Sequence, residues 1–198
     1  MEAKGLSFDI VTHEDVVLLA PYGSVLTGTH PEYHTLNTLD ALQAYTDNGG
    51  KLIYLGGTGF YWRIASRKEV QHFFELRRAE CGLRLWAAEP GEYFHSLDGQ
   101  LGGLWRRHRR APQMLVGIGF VAQGAFESTH FRAACSPPMR PPTHGSSKEW
   151  TKKFRHYGLS GGGAAGCEFD HVDAELGTPA NAVILTRSEG APASLIAE

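Results

Sequence analysis

The feature that most constrains the fold is a strand, helix, strand pattern in the first third of the chain. A short β-prone run at 23–26 precedes a leucine repeat at helical spacing, which runs from Leu36 to about Asp47. A compact apolar run at 51–55 follows, after Gly49 and Gly50. Glycines directly after the last periodic residue are a common helix stop. This order predicts a parallel βαβ unit, and it places the chain in the α/β class.

The flanking regions predict further strands. We expect one at 8–12 before the βαβ unit, and strands at 83–87, 114–121 and 182–186 after it, separated by glycine- and proline-rich loops. The second half is therefore predicted to be a partly antiparallel, loop-rich extension of the parallel sheet. An open parallel sheet usually starts with a buried strand and a long helix, for which there is no room before Phe8. We expect one N-terminally truncated domain over residues 1–198.

Composition excludes several classes of function. The 198 residues include 42% hydrophobic and 20% charged residues, which is ordinary for a globular protein. The formal net charge of −2 gives no general attraction for nucleic acid or anionic membranes. No apolar run approaches the roughly 20 residues of a membrane-spanning helix. Three widely spaced cysteines argue against a disulfide framework, so we expect a cytoplasmic protein.

The stretch TGTHPEYHT, residues 27–35, carries the densest group of titratable side chains at a predicted strand end. Ligands of open α/β sheets bind beyond the carboxyl ends of the strands. Pro31 restricts the backbone, so we expect an extended His30 and a rigid step between His30 and Glu32. An imidazole and a carboxylate held in this way suit a metal site. The alternative is that Glu32 caps the following helix while the histidines are solvated.

A second loop, Gly56-Gly57-Thr58-Gly59, follows the next predicted strand. Its glycines would let a ligand approach the backbone closely, although a plain tight turn is an alternative. The loop lacks the Lys-Ser/Thr ending of a phosphate loop. It also lacks the serine or cysteine of a nucleophile elbow, and Thr58 has no adjacent base in sequence.

A third stretch, GGGAAGCEFDH at 161–171, joins a run of small residues to Cys167 and Glu168. A carboxylate after such a bare run can approach a substrate, so Glu168 is a candidate catalytic residue, with a surface glutamate as the alternative. Cys167 near a histidine suggests a thiol hydrolase. However, nothing places it at a helix N-terminus or near a base, which favours an inert cysteine.

Two further segments are less specific. The basic run at 105–110 is predicted to form a solvated hairpin tip or a partner contact rather than a nucleic-acid site. The segment 89–95 combines a proline, carboxylates, aromatics and His95. It either lines the same cleft as the 27–35 stretch or forms a plain surface loop.

Long ordered motifs then point to one family. The sequences LTGTHPEYHTLNTLDALQAYTDNGGKLIYLGGTGFYWRIA, WAAEPGEYFHSLDGQLGGLWRR, LVGIGFVAQG and YGLSGGGAAGCEFD resemble the C-terminal region of the N,N-dimethylformamidase large (β) subunit. That region looks like a class I glutamine amidotransferase domain, with a flavodoxin-like sheet that has lost the usual cysteine nucleophile. The resemblance covers most of the chain, from about Phe8 to Thr186.

The resemblance implies a specific chemistry. Members of this family hydrolyse small N-substituted amides to an amine and a carboxylic acid with one mononuclear iron, held by two tyrosines and a glutamate. The motif T-H-P-E-Y matches that glutamate to Glu32, with His30 close by. The glutamate after G-G-G-A-A-G matches Glu168, a proton-transfer or nucleophilic residue. Thr58 stands where the family has an asparagine.

The resemblance also implies partners, and it leaves alternatives open. We expect a small amide substrate, a small (α) subunit and a homo-oligomer, with no nucleic acid or membrane partner. The family's tyrosine ligands cannot be matched to any tyrosine of this chain, so we expect them outside it and the isolated chain to be incomplete. The alternative functions are a non-catalytic binding or scaffolding domain of the same fold and a thiol amidotransferase using Cys167.

Overall fold

The computed structural model describes residues 1–12, 15–67, 69–78, 88–124, 130–133, 168–189 and 195–197. It shows a mixed α/β structure with both parallel and antiparallel strand pairs. The elements in chain order are β1 Ser24–Leu26, β2 Tyr33–His34, α1 Leu36–Asp47, β3 Lys51–Ile53, β4 Trp62–Arg67, β5 Val70–Leu76, α2 Pro112–Val116, β6 Gly119–Gly124, β7 His130–Ala133, β8 Glu168–His171, β9 Thr186–Glu189 and β10 Leu195–Ala197.

The predicted βαβ unit is confirmed. Strands β1 and β3 pair in parallel, with Ser24 opposite Lys51, and α1 connects them. The helix begins after Thr35, whose side chain accepts a hydrogen bond from the Thr38 N–H at 3.2 Å. It ends before Gly49, which has a φ of 85°. Both ends therefore follow from the capping chemistry of the sequence.

The buried face of α1 forms one part of the core. Leu39, Leu42 and Tyr45 pack with Val16, Leu19, Phe60 and Trp105. The Tyr45 hydroxyl donates to the Tyr22 carbonyl oxygen at 2.9 Å and accepts from the Lys51 N–H at 3.2 Å. A Cβ added at Gly50 would lie 2.4 Å from the Tyr45 ring, so this glycine is needed for packing.

A second sheet, which the sequence did not predict, follows the glycine loop. Strand β2 pairs in parallel with β4, with Tyr33 opposite Trp62, and β4 pairs antiparallel with β5. Tyr61 and Trp62 are buried here with Leu104 and Phe120 in a second apolar cluster. This sheet holds the segment after β1 against the segment after β3.

The predicted antiparallel extension is confirmed in part. β6 pairs antiparallel with β8 on one side and β10 on the other, and β7 pairs antiparallel with β9. The register of β6 shifts between Phe120 and Ala122, which pair with the adjacent residues Asp170 and Phe169. Such an extra residue in one strand is a β-bulge at Val121.

Three predicted strands need correction. Residues 8–12 form no strand, because the Asp15 carboxylate accepts hydrogen bonds from the Thr12 N–H and hydroxyl and bends the chain locally. Residues 112–116 form α2, with Pro112 favouring the first helical turn, and β6 starts only at Gly119, after the left-handed Gly117. Residues 182–185 are irregular, and β9 begins at Thr186.

The basic run is also not a hairpin tip. Residues Trp105–His108 form a 3-10 helix that ends on a left-handed Arg109, and the Trp105 side chain is buried in the core. The Arg110 guanidinium pairs with Asp40 on α1. This segment therefore docks onto the βαβ unit through its tryptophan. The predicted strand at 83–87 and all three cysteines, Cys81, Cys135 and Cys167, lie outside the described residues.

His95 is buried, so the plain surface-loop interpretation of 89–95 is wrong for this residue. Its Nδ1 lies 2.6 Å from Nη1 of the buried Arg63, whose other terminal nitrogen pairs with Asp98. Because the guanidinium can only donate, His95 Nδ1 must accept and the ring is neutral. Burial, and then the positive charge of Arg63, lower the pKa of His95.

This network predicts a loss of stability in acid. A lowered folded-state pKa means that the stability contributed by neutral His95 is fully present above its unfolded pKa, about 6.5. That stability is lost as the pH falls through the folded value. Asp98, whose pKa lies below its ordinary value because hydrogen bonds and the charge of Arg63 outweigh burial, adds to this loss only in stronger acid, below its unfolded pKa of about 3.9. Urea unfolding should therefore give a lower free energy of unfolding at about pH 5.5 than at about pH 7.5.

The matched comparison is between two histidine variants. His95→Gln should reduce the difference in the free energy of unfolding between the two pH values. His171→Gln should leave that difference unchanged, since His171 is exposed. An equal pH dependence in wild type and His95→Gln would contradict the assignment to His95.

Candidate functional site

The loops that follow β1 and β3 are in direct backbone contact. The Thr27 N–H donates to the Ile53 carbonyl oxygen at 2.9 Å, which continues the parallel pair beyond β1. A Cβ added at Gly56 would lie 2.3 Å from the His30 backbone nitrogen and 3.1 Å from two Thr29 backbone atoms. Only a glycine permits this approach. The two predicted strand-end loops thus form one site.

His30 does not have the extended backbone that its position before Pro31 predicts. Its φ is 54°, in the left-handed region, and its carbonyl oxygen accepts the Glu32 N–H at 2.8 Å. This short turn and the close contact with Gly56 outweigh the preference of a residue before proline. A non-glycine residue in this region stores strain, which clusters at functional sites.

The segment 31–34 is fixed by the chain around β4. The Phe60 N–H donates to the Pro31 carbonyl oxygen at 2.8 Å, and the Tyr61 and Trp62 N–H groups donate to that of Glu32 at 3.0 and 2.9 Å. His34 stacks on the Phe60 ring with centroids 4.7 Å apart, and its Nε2 lies 2.7 Å from the Pro31 oxygen. Because a carbonyl oxygen only accepts, this nitrogen carries the proton.

The alternative interpretation of this stretch is therefore wrong in two respects. Thr35, rather than Glu32, caps α1. His34 is buried rather than solvated, with 2% of its surface exposed. His30 does face solvent, since its side chain is 54% exposed.

His30 and Glu168 meet across the site although 138 positions separate them in the chain. His30 Nε2 lies 2.8 Å from Glu168 Oε2, and the Glu168 side chain is 21% exposed. The pair is within ion-pair distance but lies outside hydrogen-bond geometry, so Glu168 Oε2 has no hydrogen-bond partner among the described residues. A buried carboxylate oxygen next to an imidazole can exchange protons with it.

Gly57 explains why Glu168 can lie so close to the loop. A Cβ added at Gly57 would lie 3.1 Å from both Cβ and Oε2 of Glu168. The glycine loop therefore leaves room for the catalytic candidate from β8, in addition to accepting the His30 backbone at Gly56. The tight-turn alternative does not account for these two contacts.

Glu32 belongs to the same electrostatic environment. Burial and the negative charge of Glu168 raise the pKa of the Glu32 carboxyl, while interactions with Trp62, Arg78 and Tyr33 oppose this increase. The two carboxylates named from separate sequence motifs therefore interact with each other in the fold. Repulsion by Glu168 favours a proton or a cation at Glu32.

Thr58 is the third predicted residue at this site. It is buried, its hydroxyl has no hydrogen-bond partner among the described residues, and its φ is 55°. This conformation is unusual for a β-branched residue. Asparagine, which the family resemblance implies at this position, adopts it more readily.

Two residues that the sequence analysis missed complete the site. The Tyr54 hydroxyl donates to Asp170 Oδ2 at 2.8 Å and accepts the Gly59 N–H at 2.8 Å. Asp170 Oδ1 accepts the Thr58 N–H at 3.3 Å. Burial raises the pKa of both side chains, and Glu168 raises that of Asp170 further. The strand alternation of Glu168 and Asp170 was the signal that could have identified Asp170.

The residues that the structure describes do not contain a group of three or more His, Cys, Asp or Glu side chains able to hold a metal ion. Glu32 supplies a single carboxylate. One such ligand does not form a metal centre, which in proteins usually has at least three protein ligands. Any complete metal site at this position would need donors of other residue types or donors from outside the described part of the chain.

Comparison with known proteins identifies the family of the chain. A family described as N,N-dimethylformamidase beta subunit-like, C-terminal, matches residues 1–195. The chain belongs to this family. The match extends over the βαβ unit, the glycine loop and β8, and so includes every residue of the site described above.

Two curated relatives support the same family membership. The N,N-dimethylformamidase beta subunit of Paracoccus aminophilus is 36% identical over 197 residues. That of an Alcaligenes species is 35% identical over 197 residues. Both alignments cover 93% of this chain but only 25% of the relative, so the chain spans about a quarter of their length. In the described part of the chain, no helix is long and apolar enough to cross a membrane.

The contact between the two loops predicts a strong effect of a single methyl group. Gly56→Ala should lower the free energy of unfolding by about 1–3 kcal/mol, because the new Cβ meets backbone atoms that cannot rotate away. Chemical unfolding monitored by tryptophan fluorescence measures this change.

Gly28→Ala is the matched control, since a Cβ added there meets nothing within 4 Å. Its effect should stay within about 0.5 kcal/mol. If the two variants were equally stable, the close approach of the loops would not exist.

Proposed function

We propose that this chain is the C-terminal catalytic portion of a dimethylformamidase-type amidohydrolase that hydrolyses small N-substituted amides to an amine and a carboxylate. Family membership supports the reaction class. The contact between His30 and Glu168 is the observation that carries the proposal, because it brings an acid–base pair to the carboxyl ends of β1 and β3.

In this proposal the carboxylate of Glu168 accepts a proton from the attacking water and returns it to the leaving amine. A half-buried carboxyl beside a glycine loop is accessible to a small substrate but poorly hydrated. His30 holds Glu168 in position and, because its ring is more than half exposed, can exchange protons with solvent. Thr58 contributes a buried hydroxyl without a partner in the described structure, which can bind the amide of the substrate.

The family resemblance adds a mononuclear iron with Glu32 as one ligand. The raised pKa of Glu32 and its interaction with Glu168 support a cation beside this carboxylate. The missing donors are proposed to be tyrosines outside this chain. Such an ion, when bound, would polarise the amide carbonyl and lower the pKa of a bound water.

The same resemblance extends to the fold and the assembly. We propose that the β1–β3 pair belongs to a flavodoxin-like, glutamine amidotransferase-like sheet within one domain. The relatives are named beta subunits, which supports assembly with a small (α) subunit and into a homo-oligomer. Since the chain spans a quarter of those relatives, activity is expected in the full-length protein rather than in this segment alone.

Removing the proposed iron ligand tests the metal. In the full-length protein, Glu32→Ala should reduce bound iron, measured by elemental analysis, and lower kcat/KM for dimethylformamide by at least about 100-fold. Glu175→Ala is the control, because Glu175 is exposed and lies in the turn at 174–177. A full-length wild type that binds no iron and hydrolyses no amide would favour the non-catalytic scaffolding function.

Removing the Thr58 hydroxyl should change stability and activity in opposite directions. Thr58→Val keeps the shape and backbone strain but removes a buried hydroxyl without a described partner, so it should raise the free energy of unfolding by about 1 kcal/mol. The same change should lower kcat/KM for the amide, because a substrate contact is lost.

Thr58→Asn is the complementary variant. Asparagine tolerates the left-handed backbone and supplies an NH₂ donor, so both the free energy of unfolding and kcat/KM should be at least those of wild type. If Thr58→Val lost stability and kept full activity, the hydroxyl would have a structural rather than a substrate-binding role.

A further inference from the structure

Tyr54 and Asp170 form a hydrogen-bonded clamp between two distant parts of the chain. They are 116 positions apart, and the hydroxyl of Tyr54 lies 2.8 Å from Asp170 Oδ2. They also accept hydrogen bonds from two consecutive backbone N–H groups of the glycine loop. Asp170 accepts from Thr58 at 3.3 Å, and Tyr54 accepts from Gly59 at 2.8 Å. Every polar atom of the clamp therefore has a defined partner.

The clamp holds a loop that does not adopt its conformation readily. Thr58 and Phe60 both have positive φ values, 55° and 57°, which strain the backbone of a non-glycine residue. Packing contributes as well, since a Cβ added at Gly59 would lie 2.5 Å from the Tyr54 ring. Without the hydrogen bonds of the clamp, relaxation of this strain would move the loop.

The clamp also fixes the position of β8. Glu168 and Asp170 are two residues apart on this strand, so their side chains lie on the same face. Anchoring Asp170 to the loop therefore anchors Glu168, which contacts the same loop at Gly57 and His30 on the other side. Neither Tyr54 nor Asp170 touches His30 in the contacts described.

We propose that Tyr54 and Asp170 are positioning residues that hold Thr58 in its left-handed conformation and place Glu168 opposite His30. This inference rests on the proposed amide hydrolysis for its catalytic part, while the loop conformation is a property of the folded chain alone. The clamp acts through the loop and the strand, and it does not contact the reacting atoms.

Three variants of the full-length protein test the clamp: Tyr54→Phe, Asp170→Ala and Asp170→Asn. Hydrogen exchange of the Thr58 and Gly59 amides measures the loop directly. Tyr54→Phe removes the acceptor of Gly59, and Asp170→Ala removes that of Thr58, so exchange of the respective amide should accelerate about tenfold or more. Asp170→Asn retains an acceptor oxygen and should restore most of the protection.

Kinetics on dimethylformamide then separate positioning from general stability. Tyr54→Phe and Asp170→Ala should lower kcat by about 100-fold, the cost of a misplacement of about 1 Å, with KM little changed. Asp170→Asn should recover most of kcat. Tyr22→Phe is the matched control, because Tyr22 makes an exposed hydroxyl–carboxylate bond of 2.9 Å to Asp9 and should change neither exchange nor kcat.

The outcomes distinguish this inference from the proposed function. Unchanged exchange at Thr58 and Gly59 in both deletion variants overturns the clamp, whatever the activity. Faster exchange with unchanged kcat overturns the positioning role. A full-length wild type without amide hydrolysis overturns the proposed function, and the catalytic part of the inference with it, although the exchange data would still establish the clamp.

Discussion

The close contact between Gly56 and the backbone of His30 is the constraint on which the rest of the site depends. It brings the loop after β1 against the loop after β3, where the carboxyl ends of two parallel strands already lie side by side. Because no side chain separates the loops, His30 Nε2 can lie 2.8 Å from Glu168 Oε2, with Gly57 beside the same carboxylate. The glycines thus determine the geometry, and the polar residues supply the chemistry.

Electrostatics and backbone strain reinforce each other at this site. The negative charge of Glu168 adds to burial in raising the pKa of the Glu32 and Asp170 carboxyls, and His30 is in contact with Glu168. His30 and Thr58 are both held in left-handed conformations. A chain selected only for stability would avoid such repulsion and strain, so their coincidence supports a functional origin.

Local chemistry explains which features were predictable from the sequence. The helix α1 was predicted with correct bounds because its leucine repeat, its cap and its terminal glycines all indicate the same element. The run 114–121 was misassigned because its apolar residues fit a strand, whereas Pro112 and Gly117 define a helical turn. His30, Glu32, Thr58 and Glu168 came from motifs and a family resemblance. Tyr54 and Asp170 were missed because a hydrogen bond across 116 positions leaves no local pattern.

The bulge in β6 has a consequence for the site on the neighbouring strand. The extra residue at Val121 is taken up by β6, so β8 keeps its regular alternation and Glu168 and Asp170 stay on one face. Deleting Val121 would leave Phe120 and Ala122 consecutive and still opposite Asp170 and Phe169, so it would reverse side chains of β6 and not the two carboxylates. The irregularity therefore lies in the strand that supplies no carboxylate to the site.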